Sequence, residues 1–73
     1  METAFLKQMT ELLERETPVQ MNDIFRDYDN WDSLAYLSVI SFVDEEYELV
    51  IPRDTFKSLL SIKDLWEYIL QNK

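Results

Sequence analysis

The five residues Asn30-Trp31-Asp32-Ser33-Leu34 hold the most reactive arrangement in the chain, a serine with a carboxylate on its amino side. An apolar-patterned segment that runs to Tyr47 begins at this point. A helix starting there has first-turn N–H groups without partners and the positive end of its dipole, so an anion is welcome beside the serine. The hydroxyl is suited to carrying a phosphate ester. Ser and Asp are equally the ordinary residues for capping a helix, and the triplet taken alone serves both roles.

Two absences narrow the chemistry. The chain has no Cys and no His, which removes Ser-His and Cys-His nucleophile pairs, thiolate and imidazole zinc sites, disulfides and the commonest general base. The sequence thus argues against an enzyme and supplies neither catalytic residues nor a metal site. Its 15 Asp and Glu against 7 Lys and Arg give a net charge of −8, which repels nucleic acid and anionic membrane surfaces alike. A basic partner protein is the natural counterpart. Seventy-three residues make a single domain, residues 1–73, with one modest core and no deep pocket. The amino terminus lacks the pattern of a signal peptide, and the apolar stretch Leu34 to Val43, interrupted by Ser38 and Ser41, is too short to span a bilayer. The expectation is a soluble, cytoplasmic monomer.

The elements that must position Ser33 follow from apolar spacing. Phe5, Leu6, Met9, Leu12 and Leu13 share one helical face, with Lys7, Glu11, Glu14 and Arg15 mostly opposite, and predict a first helix from about Glu2 to Arg15 closed by Glu16-Thr17-Pro18. Residues 16 to 31 have no sustained period yet include Val19, Met21, Ile24, Phe25, Tyr28 and Trp31. Such a loop should lie across the bundle, with Ile24 and Phe25 plugged into the core. From Ser33, the residues Leu37, Ile40, Val43 and Tyr47 recur at helical spacing, and the length of the segment favours a helix over a buried strand. Leu34, Val39 and Phe42 exceed one core stripe. Part of this helix therefore offers a greasy surface, while Val39 is expected to touch the loop.

Leu49-Val50-Ile51-Pro52 reads as an extended connection tucked against the core, and Asp54 to Leu59 as a turn or two of helix. Ser61-Ile62-Lys63-Asp64 has the spacing of a capping box and opens a last helix carrying Ile62, Leu65, Trp66, Ile69 and Leu70. The chain contains no Gly, so left-handed turns should be little used.

Helix, apolar-studded loop, Asp32-Ser33-Leu34, acidic-ended helix with Asp44-Glu45-Glu46-Tyr47, Ile51-Pro52, short helix, and Ser61 to Ile69: this order and spacing resembles the acyl carrier proteins over essentially the whole chain. The resemblance implies an all-α fold, a small acyl-carrier-like four-helix bundle with three longer helices, a short third helix and a long first loop. It also implies that Ser33 is esterified with phosphopantetheine taken from coenzyme A, whose thiol carries acyl or aminoacyl groups as thioesters. A chain without Cys or His then enters thiol chemistry through a prosthetic group. By the same carry-over, Asp32 assists the phosphopantetheinyl transferase, and Leu34 meets partner enzymes, which include a loading ligase and a downstream transferase.

The departures are informative. Asn30 and Trp31 stand where fatty-acid carriers have a glycine and a small residue, and the Trp-Asp-Ser-Leu form resembles discrete carriers of specialised pathways. Ala35, Tyr36, Ser38 and Ser41 leave the start of the recognition helix uncharged, and Lys57 stands where an acid is common. Docking then rests on Asp44, Glu45 and Asp54 for charge and on Leu34 with Phe42 for apolar contact. Trp31 is expected to pack under the loop, the alternative being that its indole shields a thioester or stacks on the arm, and the acids Asp44 to Glu48 are expected to form a solvated helix end rather than a divalent-cation site. The competing reading is an acidic helical adaptor that binds a basic partner and is never modified.

Overall fold

The computed structural model describes residues 2–72. Four α-helices follow in chain order: α1 (Glu2–Leu12), α2 (Ser33–Tyr47), α3 (Arg53–Ser58) and α4 (Ile62–Asn72). A 3-10 turn, Phe25–Asp27, interrupts the long loop between α1 and α2, and no strand occurs among the described residues. The all-α class, the four helices, the short third one and the long first loop are as the sequence predicts.

α1 stops earlier than its apolar pattern. Glu14 adopts a left-handed φ of 53°, the Arg15 N–H donates back to the Thr10 carbonyl at 3.0 Å, and the Glu14 N–H donates to Glu11 at 3.2 Å. This paired closure ends the helix before Pro18 is reached. Glu48, just past α2, also has a φ of 53°. Left-handed residues are therefore used at two helix ends, contrary to the expectation drawn from the absence of Gly. At Glu14 the hydrogen-bond closure of the helix outweighs the cost of a side chain in that region.

The core joins Phe5, Met9 and Leu13 of the first segment to Val39 and Val43 of α2 and to Ile62, Leu65, Trp66 and Ile69 of α4. Phe5 stacks on Trp66 at 4.7 Å between ring centroids, with Phe42 and Tyr47 closing the far end of α2 around them. The buried stripe of α2 is rotated from the predicted one. Val39, only 1% exposed, lies in the core, while Leu37 is 57% exposed. At about 100° per residue, the face that contains Val39, Val43 and Tyr36 turns Leu37 to solvent. On α4 the predicted stripe holds except for its last member, Leu70, which is exposed.

The long loop is built in rather than draped over. Val19 and Phe25 are buried, but Ile24 is 42% exposed. The 3-10 turn admits one of the two neighbours to the core and turns the other out, so the expectation for Ile24 is corrected. The Thr10 hydroxyl donates to the Leu6 carbonyl and accepts from the Val19 N–H at 2.9 Å, while Asn30 Nδ2 donates to the Leu13 carbonyl at 2.7 Å. The loop is thus tied at its start to α1 and at its end to Leu13, just past that helix. Its middle is tied to α4, whose Ile62 and Lys63 N–H groups donate to the Asp23 and Met21 carbonyls at 3.0 and 2.7 Å. The third N–H of that helix, Asp64, donates to Ser61 Oγ at 3.1 Å, and Asp64 Oδ2 accepts from the Leu60 and Ser61 N–H groups. The predicted capping box is present, and the loop completes it by satisfying donors that a helix start leaves orphaned.

Candidate functional site

Ser33 is the first residue of α2 and is exposed. Asp32 precedes it in extended backbone as the N-cap, with Oδ1 accepting from the Ala35 N–H at 2.9 Å and its carbonyl accepting from Tyr36 at 3.0 Å. The capping role weighed for Asp32 is therefore the one its side chain performs, and it fixes Ser33 on the first turn. The hydroxyl projects from the positive end of a 15-residue helix dipole.

Beside Ser33 opens a shallow cleft of about 300 Å³ between the start of α2 and α3, lined by Arg26, Trp31, Asp32, Ser33, Tyr36, Arg53, Phe56 and Lys57. It sits at the small end of ligand-binding pockets. Its wall is aromatic. Trp31 packs on Phe25 at 4.9 Å and lies nearly parallel to Phe56 at 6.2 Å, and Tyr36 meets Phe56 edge-on at 5.0 Å. Trp31 thus packs under the loop, as the sequence suggests, while still lining the cleft.

The rim of the cleft is cationic. Arg53 and Lys57 are four residues apart on α3 and share a face, with the Arg53 guanidinium 5.9 Å from the Tyr36 ring centroid. Arg26 reaches α3 from the loop, donating from Nη2 to the Phe56 carbonyl at 2.7 Å and from Nε to the Leu59 carbonyl at 3.2 Å. It adds a second donor to the Phe56 carbonyl, which also accepts from the Leu59 N–H, caps the Leu59 carbonyl and holds α3 against the loop. Sequence reasoning noticed Lys57 only as a departure from an acid and Tyr36 only as an uncharged position on the recognition helix, and it passed over Arg26 and Arg53. The available signal was a pair of cations at i and i+4 flanking Phe56 in an otherwise acidic chain.

The residues assigned to partner contact fall into two groups. Leu34 is 65% exposed and Leu37 lies near it on the solvent face, while Asp44, Glu45 and Asp54 are exposed. Phe42 differs, being half-buried against Phe5 and Tyr47 at centroid separations of 6.3 and 5.9 Å. A second hollow, of about 330 Å³, is lined by Leu34 itself together with residues including Leu12, Glu14, Asn30 and Ser38. Among the described residues no group of three potential ligands could hold a metal ion, and no helix is long and apolar enough to cross a membrane.

An exposed hydroxyl at a helix start, beside an aromatic cleft with a cationic rim, suits a phosphate ester that carries an organic chain. No protein-family model, curated protein or solved structure matches the chain.

Proposed function

We propose that this chain is an acyl or aminoacyl carrier of a specialised biosynthetic pathway, modified on Ser33 with phosphopantetheine from coenzyme A. The observation that carries the reading is the exposed Ser33 hydroxyl on the first turn of α2, opening onto a cleft whose Arg53 and Lys57 suit an anionic ester. The order of landmarks from Asp32 to Ile69 supports it independently. When bound, the group supplies a thiol that holds cargo as a thioester.

Every other role falls to the chain's own side chains. Ser33 Oγ forms the new bond to phosphorus as the nucleotide portion of coenzyme A leaves and the hydroxyl proton passes to a base of the transferase. Asp32 keeps the serine on the first turn through its hydrogen bond to Ala35 and presents carboxylate to the transferase's metal. Leu34 and Leu37 give the partner an apolar contact, and Asp44, Glu45 and Asp54 give it charge.

The test is incubation of the purified chain with coenzyme A, magnesium and a promiscuous phosphopantetheinyl transferase, followed by intact mass. The expected result is the addition of one phosphopantetheine group, abolished in Ser33→Ala. An unchanged mass, or modification that survives Ser33→Ala, overturns the carrier reading and leaves the unmodified acidic adaptor, for which the same exposed leucines and acids would serve as the docking face.

A further inference from the structure

We propose that the cleft beside Ser33 is itself an anion site, which holds a phosphate ester joined to a flexible organic chain. Arg53 and Lys57 are its charged ligands, and the Trp31 and Tyr36 rings are its wall. The inference rests on the carrier reading only for the source of the ester, which in the modified chain is the one on Ser33.

The distribution of charge is the first argument. A chain with 15 acids and 7 bases brings three of those bases to one cleft, where Asp32 is the only acid among the lining residues. Arg53 and Lys57 form no ion pair with any described residue, although acids outnumber bases two to one. Like charges held together without neutralisation raise the local potential and attract an anion.

Preorganisation is the second argument. Arg26 is spoken for by the Phe56 and Leu59 carbonyls, so it acts as a positioning residue that fixes the end of α3 and adds its charge to the field. α3 is thereby held with its cation-bearing face toward Ser33. The aromatic wall begins beside the serine, so an ester on Oγ enters at the cationic rim and the chain beyond it meets Trp31 and Tyr36. A carrier built this way keeps its arm against its own surface at rest, and a partner must draw it out.

Acrylamide quenching of tryptophan fluorescence reads this directly, because Trp66 is only 7% exposed and the quenchable emission comes from Trp31. One arm compares the unmodified chain with the chain modified on Ser33, its stoichiometry fixed by mass. The other titrates free phosphopantetheine into the unmodified chain. Protection of Trp31 in the modified chain, lost in Arg53→Gln/Lys57→Gln modified to the same extent, is the expected result. With the free ester, each cation removed should weaken binding by roughly two- to fivefold, and added salt should weaken it further.

If the transferase adds nothing but the free ester protects Trp31, the anion site stands and the carrier reading falls. If modification proceeds and Trp31 is quenched as before, or if the double variant is protected as well as the parent, the anion site is overturned while the carrier reading stands. No protection in either arm overturns the site as well.

Discussion

Arg26 and Phe56 are joined across the fold by a hydrogen bond of 2.7 Å from the guanidinium to the main-chain carbonyl, seconded by one of 3.2 Å to Leu59. Removing the guanidinium leaves both carbonyls at the end of α3 without that partner. Arg26→Gln is expected to lower stability by about 1.5–3 kcal/mol, the range for hydrogen bonds to charged groups. Arg26→Lys should recover only part, because a single ammonium cannot reproduce the planar fork. Urea denaturation of the three proteins checks this, and equal midpoints would show that Arg26 does not anchor α3.

The titration of Asp64 bears on stability in acid. The Leu60 and Ser61 N–H groups, which donate to its carboxylate, hold its pKa below the usual carboxylate value. A folded pKa lower than the unfolded one means that the stabilisation is complete above the unfolded value of about 4, and it is lost as pH falls through the folded value. The wild type should exceed Asp64→Asn in stability at neutral pH and converge on it in acid. Denaturation midpoints measured for both down to about pH 2 give the comparison, and a gap that stays constant would remove Asp64 from the acid limb. Ser61→Ala should cost about 1 kcal/mol through the lost cap.

Glu14 and Glu48 sit in backbone that favours Gly. Substituting either with Gly relieves a side-chain clash of about 1–2 kcal/mol and costs part of it in unfolded-state entropy, for an expected net gain of roughly 0.5–1 kcal/mol. Glu14→Gln and Glu48→Gln, which remove the charge but keep the side chain, separate the backbone effect from electrostatics. Melting temperatures of the Gln variants that match those of the Gly variants would assign the gain to charge.

Fifteen acids on so small a surface repel one another, and added salt should raise the melting temperature by screening them. No cluster of three potential metal ligands occurs among the described residues, so magnesium should act as general screening and match sodium chloride at equal ionic strength. A melting temperature that stays flat across the titration would show that the fold already tolerates its charge.

Leu34 is exposed and makes little contribution to the core. Leu34→Glu should change stability by no more than about 0.5 kcal/mol, yet slow modification of Ser33 by the transferase. Initial rates followed by intact mass report the effect, and unaltered rates would take Leu34 out of the docking face.

The sequence is most legible where local rules decide. Ser61 and Asp64 announce their capping box by spacing, Asp32 and Ser33 mark the start of α2, and Pro52 closes the connection into α3. Legibility fails where tertiary contacts choose among local options. Leu37 and Val39 are both apolar and both fit a helix, and only the position of α4 and the loop decides which is buried. Ile24 and Phe25 are adjacent, and a 3-10 turn selects one. The cleft was hidden for a similar reason. Arg26 is distant in sequence from Arg53 and Lys57, and no periodicity connects a loop residue to the helix end it secures.

The hydrogen bonds from Ile62 and Lys63 to the loop carbonyls of Asp23 and Met21 have a kinetic consequence. α4 can wind its later turns from local contacts, but its first turn is complete only when a segment from the other half of the chain has been laid against it. Closure of that long chain loop is therefore a late and entropically costly event in folding. Amide hydrogen exchange at Ile62 and Lys63 becomes a gauge of the loop's opening. Since the same loop carries Arg26 and Trp31, every excursion that exposes those two amides also takes the cleft apart.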